Sequence, residues 1–126
     1  MEIPRDLRYT EDHEWIRADG AEAAVGITAY AAGELGDVVY VELPAIGRRL
    51  AASEAFGVIE SVKTASDLLT PVAGEVVAVN DRLAAAPELV NEDPYGNGWM
   101  IRIRPDDPAA AGGLLDADGY AALIGG

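Results

Sequence analysis

The chain of 126 residues has no cysteine, one lysine, one histidine and one phenylalanine. Without cysteine there is no disulfide, no thiolate nucleophile and no thiolate-bound metal, so redox thiol chemistry has to arrive on an attached group. The single histidine, His13, stands among Glu11, Asp12 and Glu14. A metal site needs several converging ligands, and neighbours on a strand point to opposite faces, so a structural or solvated imidazole is expected there. No credible Ser, His and Asp set is present, and Gly33 and Gly36 do not make a phosphate-binding GxGxxG loop. No apolar run reaches the roughly 18 residues that span a bilayer. The opening MEIPRDLRYT lacks the apolar stretch of a signal peptide, so the expectation is a cytoplasmic protein.

Basic residues are scarce too. Nine face 22 acidic ones, giving a formal net charge of -13. Such a surface repels phosphate backbones and anionic lipids, so neither nucleic acid nor membrane is an expected partner, and a protein with a basic docking face would be steered in. The length suits one domain over residues 1–126 with a single core.

Eight of the nine basic residues are arginine; the ninth is Lys63. On the count alone, an arginine-rich coding bias accounts for this. An amine, however, can be acylated where a guanidinium cannot. A nucleophilic lysine needs burial or a neighbouring cation, and Lys63 instead has Glu60 three residues before it and Asp67 four after. It reads as a point of attachment reached by another enzyme.

The surrounding pattern is all-β with short helices. Residues 9–16 alternate as a first strand, Asp19-Gly20 turns, and 23–27 return. Thr28 is placed to cap a two-turn helix carrying Ala31 and Leu35 on one face and ended by Gly36. The motif Gly36-Asp37-Val38-Val39-Tyr40-Val41 recurs as Gly74-Glu75-Val76-Val77-Ala78-Val79, which suggests a quasi-twofold sandwich centred at 55–60. Residues 55–60 form a strand and 68–73 its return, leaving 61–67 as the connection with Lys63 at a hairpin tip. Further on, 82–86 make a helical turn stopped by Pro87, 91–98 are a dense run of turn formers, and 99–104 form a strand with Trp99, Ile101 and Ile103 on one face. Pro108 opens a C-terminal region and Asp116 caps a last helix bearing Tyr120, Leu123 and Ile124. Gly112, Gly113 and Gly119 each cost about 1 kcal/mol inside a helix, so two short, weakly held helices are expected.

Five segments then occur in one order: YTEDHEW at 9–15, VGIT at 25–28, ELGDVVYVELP at 34–44, FGVIESVKTASDLLTPVAGEVVAVN at 56–80 and ELVNEDPYGNGWMIRI at 88–103. Together they resemble the H-protein family of the glycine cleavage system. The resemblance implies a barrel-sandwich hybrid with a short helix near 28–35, short C-terminal helices, and lipoate in amide linkage to Lys63 as N6-lipoyllysine. It implies a carrier and not an enzyme. The arm takes an aminomethyl group from the pyridoxal-phosphate glycine decarboxylase (P protein) and passes it to the tetrahydrofolate-dependent aminomethyltransferase (T protein). Dihydrolipoyl dehydrogenase (L protein) reoxidises the arm, and a lipoate-attaching enzyme loads it. Glu14 and Asp67 stand at the positions that, by the same resemblance, would hydrogen-bond the loaded arm.

Departures from the pattern are small: Thr64 replaces a small Ala, and Leu69-Thr70 replace a commoner Tyr-Ser before Pro71. Rival readings are other lysine carriers, an H-like protein relaying lipoyl groups to other enzymes, and an unmodified acidic interaction domain. Biotinyl domains flank their lysine with Met, where this chain has Val62 and Thr64. The lipoyl domains of 2-oxo acid dehydrogenases are shorter and leave the DPYGNGW segment without a counterpart.

Overall fold

The computed structural model describes residues 2–125. The β-branched runs pair there into two antiparallel sheets. The first comprises β1 (Arg8–Tyr9), β2 (Glu14–Asp19), β3 (Glu22–Ile27), β5 (Arg49–Leu50), β8 (Gly74–Val79) and β9 (Ile101–Pro105), in the order β1-β2-β3-β9-β8-β5. The second comprises β4 (Val38–Glu42), β6 (Ala55–Ser61) and β7 (Ala65–Leu69), in the order β4-β6-β7. Short helices join or flank them: α1 (Ala29–Leu35), α2 (Arg82–Ala85), α3 (Leu89–Glu92), a 3-10 turn (Ala110–Gly113) and α4 (Ala117–Leu123). This is the barrel-sandwich hybrid that the resemblance implies.

Alternation along the strands divides the apolar residues between two clusters. Ile16, Val25, Val38, Val41, Phe56, Ile59, Leu68, Val76, Ile101 and Ile103 fill the main core. Trp15 and Ala24, on the opposite face of β2 and β3, join Leu7, Tyr9, Ala117 and Tyr120 in the second. Full burial of each large side chain contributes about 1.5–3 kcal/mol.

The repeated motif falls in different sheets, as β4 and β8. Both copies carry a register shift at the same place, between Val38 and Tyr40 on β4 and between Val76 and Ala78 on β8. Gly74 opens the second copy because a Cβ there would run into the carbonyl oxygen of Arg104.

Several boundaries differ from the sequence reading. The first strand expected over 9–16 is two strands, because Thr10 Oγ1 accepts from the amides of Asp12 and Glu14, both at 3.2 Å, and bends the chain between them. His13 in that turn has a φ of 70°. The strand expected over 99–104 begins at Ile101, and Trp99 packs in the second cluster, apart from Ile101 and Ile103. Asn91 and Glu92, read as turn residues, close α3, whose Val90 is fully buried.

The capping expectations hold. Thr28 accepts from the Ala31 amide at 3.1 Å and Asp116 from the Gly119 amide at 2.8 Å. The first C-terminal helix is only a 3-10 turn, beginning two residues after Pro108. Helix α4, by contrast, is not weakly held: Tyr120 is fully buried and stacks on Tyr9 with ring centroids 4.7 Å apart. Leu123 faces solvent.

Candidate functional site

The hairpin tip is built by one serine. Strands β6 and β7 stay paired up to Glu60 opposite Ala65, so the connection is shorter than the 61–67 expected, and Asp67 lies on β7 itself. Ser61 Oγ accepts from the amides of Lys63 (3.3 Å) and Thr64 (3.2 Å), and the Ser61 amide donates to the Thr64 carbonyl at 2.8 Å. This serine-centred turn explains why no Gly, Pro or Asn marks the reversal.

The tip is also anchored from below. The Val62 amide donates to the Asp37 carbonyl at 3.0 Å. Asn91 holds that loop from both sides: its Nδ2 donates to the Gly36 carbonyl at 2.8 Å and its Oδ1 accepts from the Val38 amide at 2.9 Å. Gly36 has a φ of 79°, and a side chain added there would begin 3.8 Å from Lys63 Cε. Lys63 is exposed and, among the described residues, makes no ion pair.

Beside this hairpin lies a cleft of about 310 Å³. One wall is the turn carrying Asp12, His13 and Glu14, another is α1 with Tyr30, Ala31 and Glu34, and the third is β7 with Ser66 and Asp67. Ile27, Leu35, Ile59 and Leu68 supply the apolar floor. The chain thus brings Glu14 and Asp67 to one cavity although 53 positions of sequence numbering separate them.

Their surroundings differ. Asp67 is exposed at the rim. Glu14 is only 3 % exposed, and burial pushes its carboxyl up to about 8; the Thr10 hydroxyl draws it down, Asp12 adds to the rise, and the Leu69 backbone draws it down again. Thr10 Oγ1 is 2.8 Å from Glu14 Oε1. Burial thus favours the neutral carboxyl at Glu14. Only acids and one imidazole line the cavity as titratable groups besides Tyr30, and no Lys or Arg does. An apolar floor under a rim of acids suits a small cation carried on an apolar stem. Among the described residues no His, Cys, Asp and Glu group could hold a metal ion.

Sequence reasoning had set His13 aside because strand neighbours point apart. The residue lies in a turn, and it lines the cleft next to Glu14. Thr10, three residues before it, is the signal that would have broken the strand. Asn91 was hidden within a run of turn formers, since its partners at Gly36 and Val38 are distant in sequence.

A family model described as "Glycine cleavage H-protein" matches residues 7–125. The chain is 57% identical over 124 residues to a glycine cleavage system H protein of Magnetococcus marinus, covering 98% of this chain and 89% of that one. It is 58% identical over 127 residues to the protein of the same name from Chlorobium limicola, covering 99% of each. Among solved structures, a glycine cleavage system H protein from Mycobacterium marinum superposes with a TM-score of 0.89 at 42% identity, covering 98% of this chain and 99% of that chain.

Proposed function

The chain belongs to the glycine cleavage H-protein family, and from that premise we propose that it is a one-domain, cytoplasmic lipoyl carrier, not an enzyme, with Lys63 as the attachment residue. The observation that carries the reading is the placement of the only lysine, exposed and unpaired, on a serine-pinned hairpin tip beside a cleft of acids over an apolar floor. Lipoate, when bound, supplies the disulfide that accepts an aminomethyl group at glycine decarboxylase, yields it to the tetrahydrofolate-dependent aminomethyltransferase and is reoxidised by dihydrolipoyl dehydrogenase.

The chain's own residues attach, hold and shield. The Lys63 amine forms the amide, and the tie from Val62 to Asp37 keeps the tip in one place for a lipoate-attaching enzyme. Ile27, Leu35, Ile59 and Leu68 exclude water from the cleft. Glu14 waits in protonated form and ionises when a carried amine enters as its ammonium, since an adjacent cation favours the carboxylate. Asp67, exposed at the rim, offers a second carboxylate to that ammonium. Entry of the amine near neutral pH thus releases a proton.

Coexpression with a lipoate-attaching enzyme, followed by intact mass and a tryptic map, tests the attachment. The expected result is one lipoyl mass increment and no tryptic cleavage after residue 63; a free amine there removes the proposal. Glycine-dependent exchange of carbon dioxide with the decarboxylase then separates the shuttle from a relay of lipoyl groups to other enzymes.

A further inference from the structure

Tyr120 comes from α4, far along the chain from the cleft, and its hydroxyl bridges the side chains of the His13 turn and the α1 cap, two neighbours that the Thr28 amide also joins by donating to the His13 carbonyl at 3.0 Å. It lies 2.9 Å from His13 Nδ1, in the turn that carries Glu14, and 2.8 Å from Thr28 Oγ1, the cap of α1. Thr28 Oγ1 already accepts from the Ala31 amide. The Tyr120 ring is fully buried, and burial pushes its hydroxyl up to about 12, so the phenol keeps its proton.

Proton counting fixes the direction of the chain. Thr28 is fully buried, and among the described residues the one acceptor hydrogen-bonded to its hydroxyl is the Tyr120 oxygen. The Tyr120 proton is then left for His13 Nδ1, which must accept it. Neutral His13 is therefore the tautomer protonated at Nε2. The ring packs against Tyr30 with centroids 5.0 Å apart, and its residue is held at a φ of 70°, a conformation uncommon outside glycine. A backbone of this kind persists where the surroundings over-determine it.

We infer that Tyr120 is a positioning residue for the cleft: its hydroxyl joins the His13 ring to the Thr28 side chain, fixing the orientation of the imidazole beside Glu14 and Tyr30 where the carried amine is met. The inference rests on the reading that the cleft receives that amine. Tyr120 touches neither the amine nor the arm; it acts through His13 and Thr28. Tyr120→Phe keeps the ring stacked on Tyr9 and removes only the hydroxyl. His13→Asn keeps a residue type that tolerates positive φ and removes the ring nitrogen.

Two measurements test it. The first uses the unlipoylated chain, where one histidine makes the spectrum unambiguous. Imidazole nitrogen shifts should show the Nε2–H tautomer in the wild type and a mixture in Tyr120→Phe. The second loads the lipoylated proteins with glycine and the decarboxylase and follows loss of the aminomethyl group by mass. Each single variant should lose it about fivefold faster, the factor expected for one neutral hydrogen bond, and the double variant no faster than either. An unchanged tautomer, an unchanged rate in Tyr120→Phe, or additive effects in the double variant would overturn the inference. If the wild type itself loses the group as fast as free aminomethylated lipoamide, the cleft reading fails instead, and the tautomer still decides whether the junction exists.

Discussion

Glu14 is a carboxyl folded away from water with its proton on. Its folded value of about 8 lies above the unfolded 4.5, so between these pH values the native state binds more protons than the unfolded one. Stability therefore falls as pH rises through that window and levels off above it. Glu14→Gln removes the effect: its thermal stability should match the wild type at pH below the window and exceed it above, by roughly 5 kcal/mol at most. Melting curves across the window check this, and a constant difference would mean that Glu14 is ionised in the empty protein. The same variant should release the aminomethyl group faster, whereas Asp67→Asn, at an exposed position, should change release less. Lys63 was legible in the sequence because an amine alone among arginines needs no tertiary context to be noticed. The proton on Glu14 was not, because it depends on a cavity assembled from α1, β7 and the Thr10 turn.

The elements around the tip are tied by side chains that reach across the chain. Asn91, at the end of α3, satisfies the carbonyl of Gly36 and the amide of Val38. Asn91→Ala leaves both groups without a partner and should cost about 1–3 kcal/mol. Its local signature is faster hydrogen exchange at the Val62 amide, which donates into the same loop; unchanged exchange there would show that the clamp does not reach the tip. What the sequence revealed among the elements is chemistry of short range: the Thr28 and Asp116 caps, the Asp19-Gly20 hairpin and the Gly36 helix stop all act within a few residues. What it concealed acts at long range. Helix α4 looked weak from its glycines, yet Tyr120 packing on Tyr9 holds it, and no propensity reports that contact.

Across the whole molecule most arginines are paired and, among the described residues, most acids are not. Arg5, Arg17, Arg48, Arg49, Arg102 and Arg104 pair with acids. Glu34, Asp37, Glu60 and Asp67, around the tip and the cleft, make no ion pair among the described residues. A basic partner surface would be steered to this side, and kcat/KM with the lipoylated protein as substrate should fall on the order of tenfold from low to high salt. Asp37→Lys with Glu60→Lys should flatten that dependence; a steep dependence retained by the pair would place the steering elsewhere. Fold class was legible at this scale because five segments in one order span both sheets. The charge pairing was not, since partners such as Arg102 and Glu22 meet only once the strands are paired.

The rims of the two sheets share a further property. Strands β1 and β5, at the ends of the larger sheet, are two residues long. Strand β4 is broken by its register shift, and β7 carries the exposed charge of Asp67 on the border of the smaller sheet. Each border is thus short, bent or charged, features that discourage pairing with another strand. A molecule that must offer one bare hairpin to several enzymes in turn leaves its own copies no seam to zip onto.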